Sequence, residues 1–369
     1  MTFLFSLLYL IQLYIYRILS KTSLLFTSEG HSEIDTGVSV IICAHNESDN
    51  LKNNLRAILD QKYADFEVIV VNDRSTDESD KVINELKKTY NDLKCVNIKH
   101  LNQDLKGKRN ALIQGVNLAS KDMLLLTDAD CKPASKYWIR DMMHKSDSQT
   151  EIILGHAPFY KKKGFWQYLF RFDNSYTAIK YFSAYKLGMP YMGVGRNIAI
   201  TKELFINNID AYKNHKTASG DDDLLVNAFA MKNNTRICTS SNTFMYSDAS
   251  TDLRDYFNRK RRHLSAGAYY KRIHLFGLGL VFLNPIILNI FFIGYFCWSI
   301  LNMDMNCLII ISSLFLFKNL VQYIIYNKLF TLFDNKTPIG LLPVLDLLYF
   351  LLTLVIIISL KINSNIKWK

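Results

Sequence analysis

Apolar positions are unevenly distributed along the chain, and their spacing changes character three times. Leu275 to Met303 runs for 29 residues without a charged side chain, and Ile339 to Leu360 contains only Asp346. Runs of about 20 apolar residues have the length of a bilayer crossing. Three such segments follow one another, at about 275–301, 305–326 and 341–360. Pro285 is placed to kink the first, and Lys318, Asn319 and Gln322 interrupt the second. Thr2 to Tyr16 is also apolar and aromatic, short for a crossing, so it reads either as a span or as an anchor lying in the membrane plane. A wholly soluble protein is excluded. So is a wholly membranous one, because Ser28 to His274 is charged and mixed and long enough for a domain with a full core.

Within that stretch, continuous apolar runs alternate with helical patterns. Val38 to Cys43, Phe66 to Val71, Leu93 to Ile98 and Met123 to Leu126 read as strands. Between them, Leu51, Leu55, Ile58 and Leu59 mark one helix face and Val82, Ile83, Leu86 and Tyr90 another, and a third helix is predicted over 108–118. Strands that are apolar throughout are buried on both faces, as in a parallel sheet wrapped by helices. The predicted class is α/β, a doubly wound, mostly parallel sheet. The chain divides into an amino-terminal membrane anchor (1–27), the α/β domain (28–250), a basic amphipathic interfacial segment (251–274) and a carboxyl-terminal membrane region (275–369). Phe159 to Tyr185 holds 11 aromatics in 27 residues, interspersed with Lys and Arg. It fits either a membrane–water interface or a long helix packed on the domain.

Charge refines this picture. With 44 Lys+Arg against 33 Asp+Glu, the chain carries a net +11. Arg254, Arg259, Lys260, Arg261, Arg262, Lys271 and Arg272 gather just before the long apolar run, a placement that suits anionic membrane lipids. No nucleic-acid-binding motif accompanies them. Arg17 and Lys21 follow the first apolar segment, so the positive-inside tendency places the α/β domain in the cytoplasm, at the inner (plasma) membrane of the cell. Three carboxyl-terminal crossings put Lys361, Lys367 and Lys369 outside, against that tendency, and two keep them inside. The six cysteines have no metal-like or disulfide-like spacing, which predicts a reduced, cytosol-facing domain without a zinc site.

In an open parallel sheet, ligands bind beyond the carboxyl ends of the strands. The first strand ends in Ala44-His45-Asn46-Glu47, the second in Asn72-Asp73-Arg74, the fourth in Thr127-Asp128-Ala129-Asp130. Asp128 and Asp130 are two apart, which in extended chain points both carboxylates one way, as a hard divalent cation requires. The competing reading is a turn or cap pair. Asp77 reads as a helix cap. Lys106 to Arg109 offers cations for phosphate or a solvated charge run. Asp221-Asp222-Asp223 opens a helical pattern. The helix dipole favours acids there, but three in a row exceed capping needs and suit a general base. Gly193-Val194-Gly195-Arg196-Asn197 is a turn where backbone can approach a ligand.

Together these strings resemble the family 2 glycosyltransferases, which act on nucleotide sugars with a single α/β domain of the GT-A fold. The resemblance covers roughly 38–263. It implies that Ala44, Asn46 and Glu47 line the nucleotide pocket, that Asp73 holds the base, that Lys108 lies near the donor and that Asp128-Ala129-Asp130 is the metal motif. It also implies Asp222 as catalytic base, with Asp221 beside it. Many membrane members carry Q-x-x-R-W on an amphipathic helix under the site. Here the string is Arg259-Lys260-Arg261-Arg262-His263, which keeps Arg262 and replaces the Gln and the Trp. The implied activity is inverting transfer from a nucleoside-diphosphate sugar, with Mg2+ or Mn2+, to a lipid-linked or membrane-associated glycan acceptor. The missing Trp and the small number of spans argue for single addition and against a processive polysaccharide synthase. A nucleotidyltransferase lacks its glycine-rich loop here, and a non-catalytic nucleotide-binding membrane protein would not need the acids, all of which are present.

Overall fold

The computed structural model describes residues 2–27, 36–100, 108–213 and 221–362, with Thr2, Ala211, Asp221 and Asp222 described by backbone alone. Helix α1 (Thr2–Lys21) leads through a 3-10 segment (Thr22–Thr27) towards the α/β domain. There β1 (Val38–Ala44), α2 (Ser48–Leu59), β2 (Phe66–Asp73), α3 (Ser79–Lys87), β3 (Leu93–Ile98), α4 (Arg109–Leu118) and β4 (Met123–Asp128) alternate. The chain continues through β5 (Lys132–Pro133), α5 (Trp138–Met143), β6 (Ile152–Leu154) and the long α6 (Phe165–Lys186). Next come β7 (Ile198–Thr201), α7 (Lys202–Asn207), α8 (Ile209–Lys213), α9 (Asp221–Phe229), β8 (Thr235–Ile237) and β9 (Met245–Tyr246). Helix α10 (Leu253–Gly267) then leads to α11 (Arg272–Leu301), α12 (Met305–Leu332) and α13 (Leu342–Ile362).

Seven strands form one sheet in the order β3-β2-β1-β4-β7-β6-β8. The β3-β2-β1-β4 half is parallel, and β7 runs antiparallel to both its neighbours. The apolar runs explain this half. Val40 and Ile42 face a core completed by Leu51, Leu55, Val82, Ile83 and Trp138, while Ile41, Ile69 and Val71 face a second core with Leu112 and Val116. Fully burying each such side chain contributes about 1.5–3 kcal/mol. A side chain on Gly115 would place its Cβ 2.7 Å from Ile41 Cγ2, so only glycine lets α4 lie this close to the sheet.

The aromatic-rich stretch resolves in favour of the packed helix. Phe170, Phe172, Tyr176, Ile179, Tyr181 and Phe182 of α6 are buried, and of its aromatics only Phe165 and Trp166 at its start are well exposed. Helix α6 is a layer between the sheet and the apolar helices, touching both α1 and α13. Among the described residues, four helical segments are long and apolar enough to cross a bilayer: Phe3–Phe26, Arg272–Leu301, Met305–Leu332 and Ile339–Ile362. The second of the carboxyl-terminal three extends past 326 despite its polar interruptions, because Lys318 and Gln322 turn inward and Asn319 donates to Phe315 O of its own helix. Lys318 Nζ donates to Asn289 Oδ1 (3.1 Å) and Gln322 Nε2 to Asp346 Oδ2 (3.0 Å). Helices α1, α11 and α12 pack on one another, whereas α13 lies chiefly against α6 and α10.

The domain and the apolar helices are bolted together. The turn after α12 carries Asp334, which accepts from Lys161 Nζ (2.7 Å) and Tyr246 Oη (2.5 Å). Beside it, the buried His156 ring meets the Phe333 carbonyl (3.2 Å), and Asn335 Nδ2 donates to Arg171 O (3.2 Å). Burial holds the His156 pKa at about 3, so the ring is neutral and donates one N–H to Phe333.

At the opposite end of the sheet, Glu67 anchors the strand starts. It accepts from Ser39 Oγ (2.6 Å), Ser120 N (2.6 Å) and Ser120 Oγ (2.9 Å), and pairs with Lys94. Burial alone would raise its pKa, but these partners prevail and hold it at about 2, against an ordinary 4.5. A depressed acid stabilises the fold above its unfolded pKa, and that contribution fades as pH falls from about 4.5 towards about 2. Glu67→Ala should therefore destabilise the domain by about 3 kcal/mol at pH 7. In thermal melts the gap to wild type should narrow as pH falls below 4.5, and a gap independent of pH would contradict this role.

Candidate active site

Strand order reverses between β1 and β4: β2 and β3 lie on one side of β1 and β4 on the other. The connections diverge there and leave a crevice at the carboxyl ends, where doubly wound sheets bind ligands. Cys43 of β1 is paired in register with Asp128 of β4, and Ala44 with Asn72 of β2. Cys43 and Asp128 thus point to one face of the sheet from neighbouring strands, and Ala44 packs on the other face with Val40 and Ile42.

The loops after β1 and β2 clasp each other. Asn46 and Arg74 both adopt positive φ (56° and 55°), turning the chain sharply at corresponding places. Asn46 Oδ1 accepts from Thr76 N (2.7 Å), and Asn46 N donates to Ser75 Oγ (2.9 Å). Asp77 accepts from Ser79 N at the start of α3 and from Ser48 N at the start of α2, so its capping serves two helices. Glu47 accepts from Asn50 Nδ2 (2.5 Å). Asp73 is gripped by its neighbour Arg74, through Nε (2.8 Å) and Nη2 (3.0 Å), and its carbonyl meets His45 Nδ1 (2.5 Å). A nucleobase meeting Asp73 would share it with Arg74.

Asp128 has different surroundings. It ends β4, and Lys108 Nζ, at the start of α4, donates to its Oδ1 at 3.1 Å. Lys106 and Gly107 lie outside the described residues. Burial in the crevice favours the neutral Asp128 carboxyl, but Lys108, Arg196 and Arg262 oppose this and hold its pKa below the usual range. The chain does not stay extended beyond Asp128. Cys131 N donates to Asp128 O (3.1 Å), so Ala129 and Asp130 form a turn. A turn, not strand pleat, therefore sets the direction of Asp130, which accepts from the Cys131 thiol (3.1 Å). Burial, reinforced by Asp130 and Asp128, raises that thiol's pKa and keeps it protonated.

Two of the basic residues of α10 turn towards this site and not towards lipid. Arg262 acts on Asp128, and Lys260 forms an ion pair with Asp173 of α6, which also accepts from Tyr256 Oη (3.1 Å). Arg259 pairs with Asp255 (3.4 Å), while Arg254, Lys271 and Arg272 remain exposed. The Asp221 and Asp222 side chains lie outside the described residues. Their backbone begins α9, whose next residue, Asp223, is buried.

Arg196 is a site residue that the sequence indicated only as part of a turn. Its guanidinium lies 4.8 Å above the Phe159 ring and bonds Ser247 and the Ala157 carbonyl (3.3 Å). Asn197 holds the turn from inside, accepting from Trp138 Nε1 (3.0 Å) and donating to His156 O (2.8 Å) and Thr243 O (2.7 Å). Lys108 at the start of α4 thus bonds Asp128 directly, and the charges of Arg196 before β7 and Arg262 on α10 act on the same carboxylate. Such a convergence suits a ligand rich in negative charge, and a diphosphate has that character. Among the described residues, no three His, Cys, Asp or Glu side chains gather as a metal site. A hard cation here would rely on Asp128, Asp130 and the ligand's own phosphate oxygens, a donor set that Mg2+ accepts.

This sheet, with its acids at the switch point and its attached apolar helices, is a GT-A architecture. The mannosyltransferase PcManGT from Pyrobaculum calidifontis, solved with GDP-Man and Mn2+, shares the fold: TM-score 0.59, 16% identity, 95% of each chain covered. Residues 39–205 match the family model described as glycosyl transferase family 2, and the α/β domain belongs to that family. Poly-beta-1,6-N-acetyl-D-glucosamine synthase of Staphylococcus epidermidis is 33% identical over 107 residues, 29% of this chain and 24% of that protein. The enzyme of the same name from Staphylococcus aureus strain MSSA476 is 32% identical over 123 residues, 32% and 28% of the two chains. The match spans about a quarter of the length of these curated relatives.

Arg196→Gln removes one cation facing Asp128 and keeps hydrogen-bonding capacity towards Ser247. Binding of inorganic pyrophosphate with Mg2+, followed by calorimetry, should weaken about tenfold, the loss of one charge-assisted contact. Unchanged affinity would mean that Arg196 serves only the loop around Ser247.

Proposed function

We propose that the chain is an inverting glycosyltransferase that moves a sugar from a nucleoside-diphosphate sugar to a lipid-linked or membrane-associated glycan acceptor at the cytoplasmic face of the plasma membrane. The observation that carries this reading is the convergence of Lys108, Arg196 and Arg262 on Asp128 at the strand ends, where a donor diphosphate would lie. The family of the domain supports it.

Each residue then has a task. The loops around Ala44, Asn46, Glu47 and Asp73 receive the nucleoside. Lys108, Arg196 and Arg262 supply fixed positive charge where the leaving diphosphate gains negative charge, so little reorganisation is needed during reaction. Asp128 and Asp130 are the residues that would hold Mg2+ or Mn2+, which when bound helps neutralise the same diphosphate. Asp222 takes the proton of the acceptor hydroxyl. That oxygen forms its bond to the anomeric carbon as the bond from carbon to the diphosphate oxygen breaks, which inverts the centre. The apolar helices keep the site at the bilayer, which confines both substrates and lowers the entropic part of the barrier.

The curated relatives favour a second reading, processive synthesis of a polysaccharide. His263, where many such synthases carry Trp, supports single addition.

Asp130→Asn should weaken Mg2+- or Mn2+-dependent binding of the donor, measured by calorimetry, and unchanged affinity would remove the metal assignment. Asp222→Asn should keep donor binding and lose transfer about 10²–10⁴-fold, the usual contribution of a general base. A variant retaining most of its rate would move the base to Asp221 or Asp223. Sizing the labelled product from membranes with excess donor separates the two readings: one added sugar supports single transfer, and a ladder of long chains supports the synthase.

A further inference from the structure

A cavity of about 750 Å3 lies between α6, α10, the first half of α11 and the second half of α13. Its two ends differ in chemistry. One end is lined by Lys180, Lys260, His263 and Asp223 and adjoins the active site. Asp223 follows Asp222 directly, and His263 follows Arg262, which acts on Asp128. The other end runs along Leu275, Leu278, Phe282, Ile357 and Leu360, on helices apolar enough to cross a bilayer, with Lys361 in the lining where α13 ends.

The cations of the polar end are not equivalent. Lys260 has its carboxylate in Asp173. Lys180 has none within ion-pairing distance among the described residues. Its nitrogen donates to Tyr349 Oη (3.0 Å) and lies 4.7 Å above the Tyr176 ring. These contacts orient the ammonium without cancelling its charge. Burial, and then the charge of Lys260, lowers its pKa to about 7, so an anion arriving beside it would restore full protonation. His263, exposed to the cavity, adds a polar edge there.

The walls also constrain the occupant. A glycan chain needs a hydrogen-bonding partner for most of its hydroxyls, and burying them against Leu, Ile and Phe costs free energy. The apolar end therefore suits hydrocarbon, and the lysines suit an anion. We propose that this cavity is the acceptor subsite and that its occupant is a single-chain lipid phosphate, with the phosphoryl group at Lys180 and Lys260 and the chain leaving between α11 and α13. A sugar carried on that phosphoryl group would then present its acceptor hydroxyl beside the start of α9. The assignment rests on the transferase reading above and narrows its acceptor class.

The test uses the full chain in detergent, with farnesyl phosphate as probe and farnesol as its uncharged control, both read by thermophoresis. Farnesyl phosphate should bind at least about tenfold tighter than farnesol, the gain expected of one charge-assisted contact. Lys180→Gln should remove most of that difference and leave farnesol unaffected. Gly279→Trp, at a glycine that lines the cavity and where an added Cβ meets no atom within 4 Å, should fill the apolar end and weaken both ligands. Equal affinity for the two ligands, or full phosphate preference in Lys180→Gln, would overturn the proposal. So would displacement of farnesyl phosphate by equimolar dioleoylphosphatidic acid, which marks an ordinary bilayer-lipid site. UDP and GDP binding with Mg2+ on the same samples separates the two levels of inference. Nucleotide binding without farnesyl phosphate binding sinks the cavity assignment alone. The reverse supports the cavity and sinks the transferase reading.

Discussion

Asp128 stands at the end of a strand buried on both faces, where burial works against a carboxylate's charge and nearby cations favour it. They come from three separate parts of the chain: Lys108 before α4, Arg196 in the turn before β7 and Arg262 on α10. Each is set by packing elsewhere. Gly115 lets α4 lie against the sheet, Asn197 fixes the turn through Trp138, and the Lys260–Asp173 pair fixes α10 against α6. The need to compensate one charge at the switch point thus ties the sheet, its covering helices and the amphipathic helix into a single site.

Much of the parallel half was legible because strands buried on both faces are written as unbroken apolar runs. β3 was predicted with its observed ends, and β1, β2 and β4 ran only one or two residues further, into the polar residues that line the crevice. The helix faces marked by Leu51, Leu55, Ile58 and Leu59 and by Val82, Ile83 and Leu86 are buried as their spacing implied, whereas Tyr90, read as part of the second face, lies beyond the end of α3. Features that depend on distant partners were not legible. The direction of Asp130 follows from a turn closed by Cys131 and not from strand geometry. Nothing near Arg196 in sequence announces that it faces Asp128. The basic run on α10 looks uniform in sequence, yet Lys260 and Arg262 point inward because Asp173 and Asp128 lie there.

Helix α6 shows why composition alone left two readings open. A basic, aromatic helix can meet lipid headgroups or pack between layers, and its chemistry serves both. Packing decided it: the rings interleave with Phe330, Tyr326 and Tyr349 of the apolar helices, while Arg171 and Asp173 find partners on Lys162, Tyr256 and Lys260. A layer of this kind transmits position. With Asp334 and His156 locking the turn after α12, the crevice has little freedom to tilt against the membrane helices.

The course of α13 bears on how the chain is threaded. It starts beside the α12 turn that grips the α/β domain, and its last residues, Leu360 and Lys361, wall the same cavity as Tyr270 and Leu275, where α10 gives way to α11. Both of its ends therefore meet segments that adjoin the α/β domain, so the threading of α13 is tied to the placement of α10, and neither helix moves against the sheet without the other.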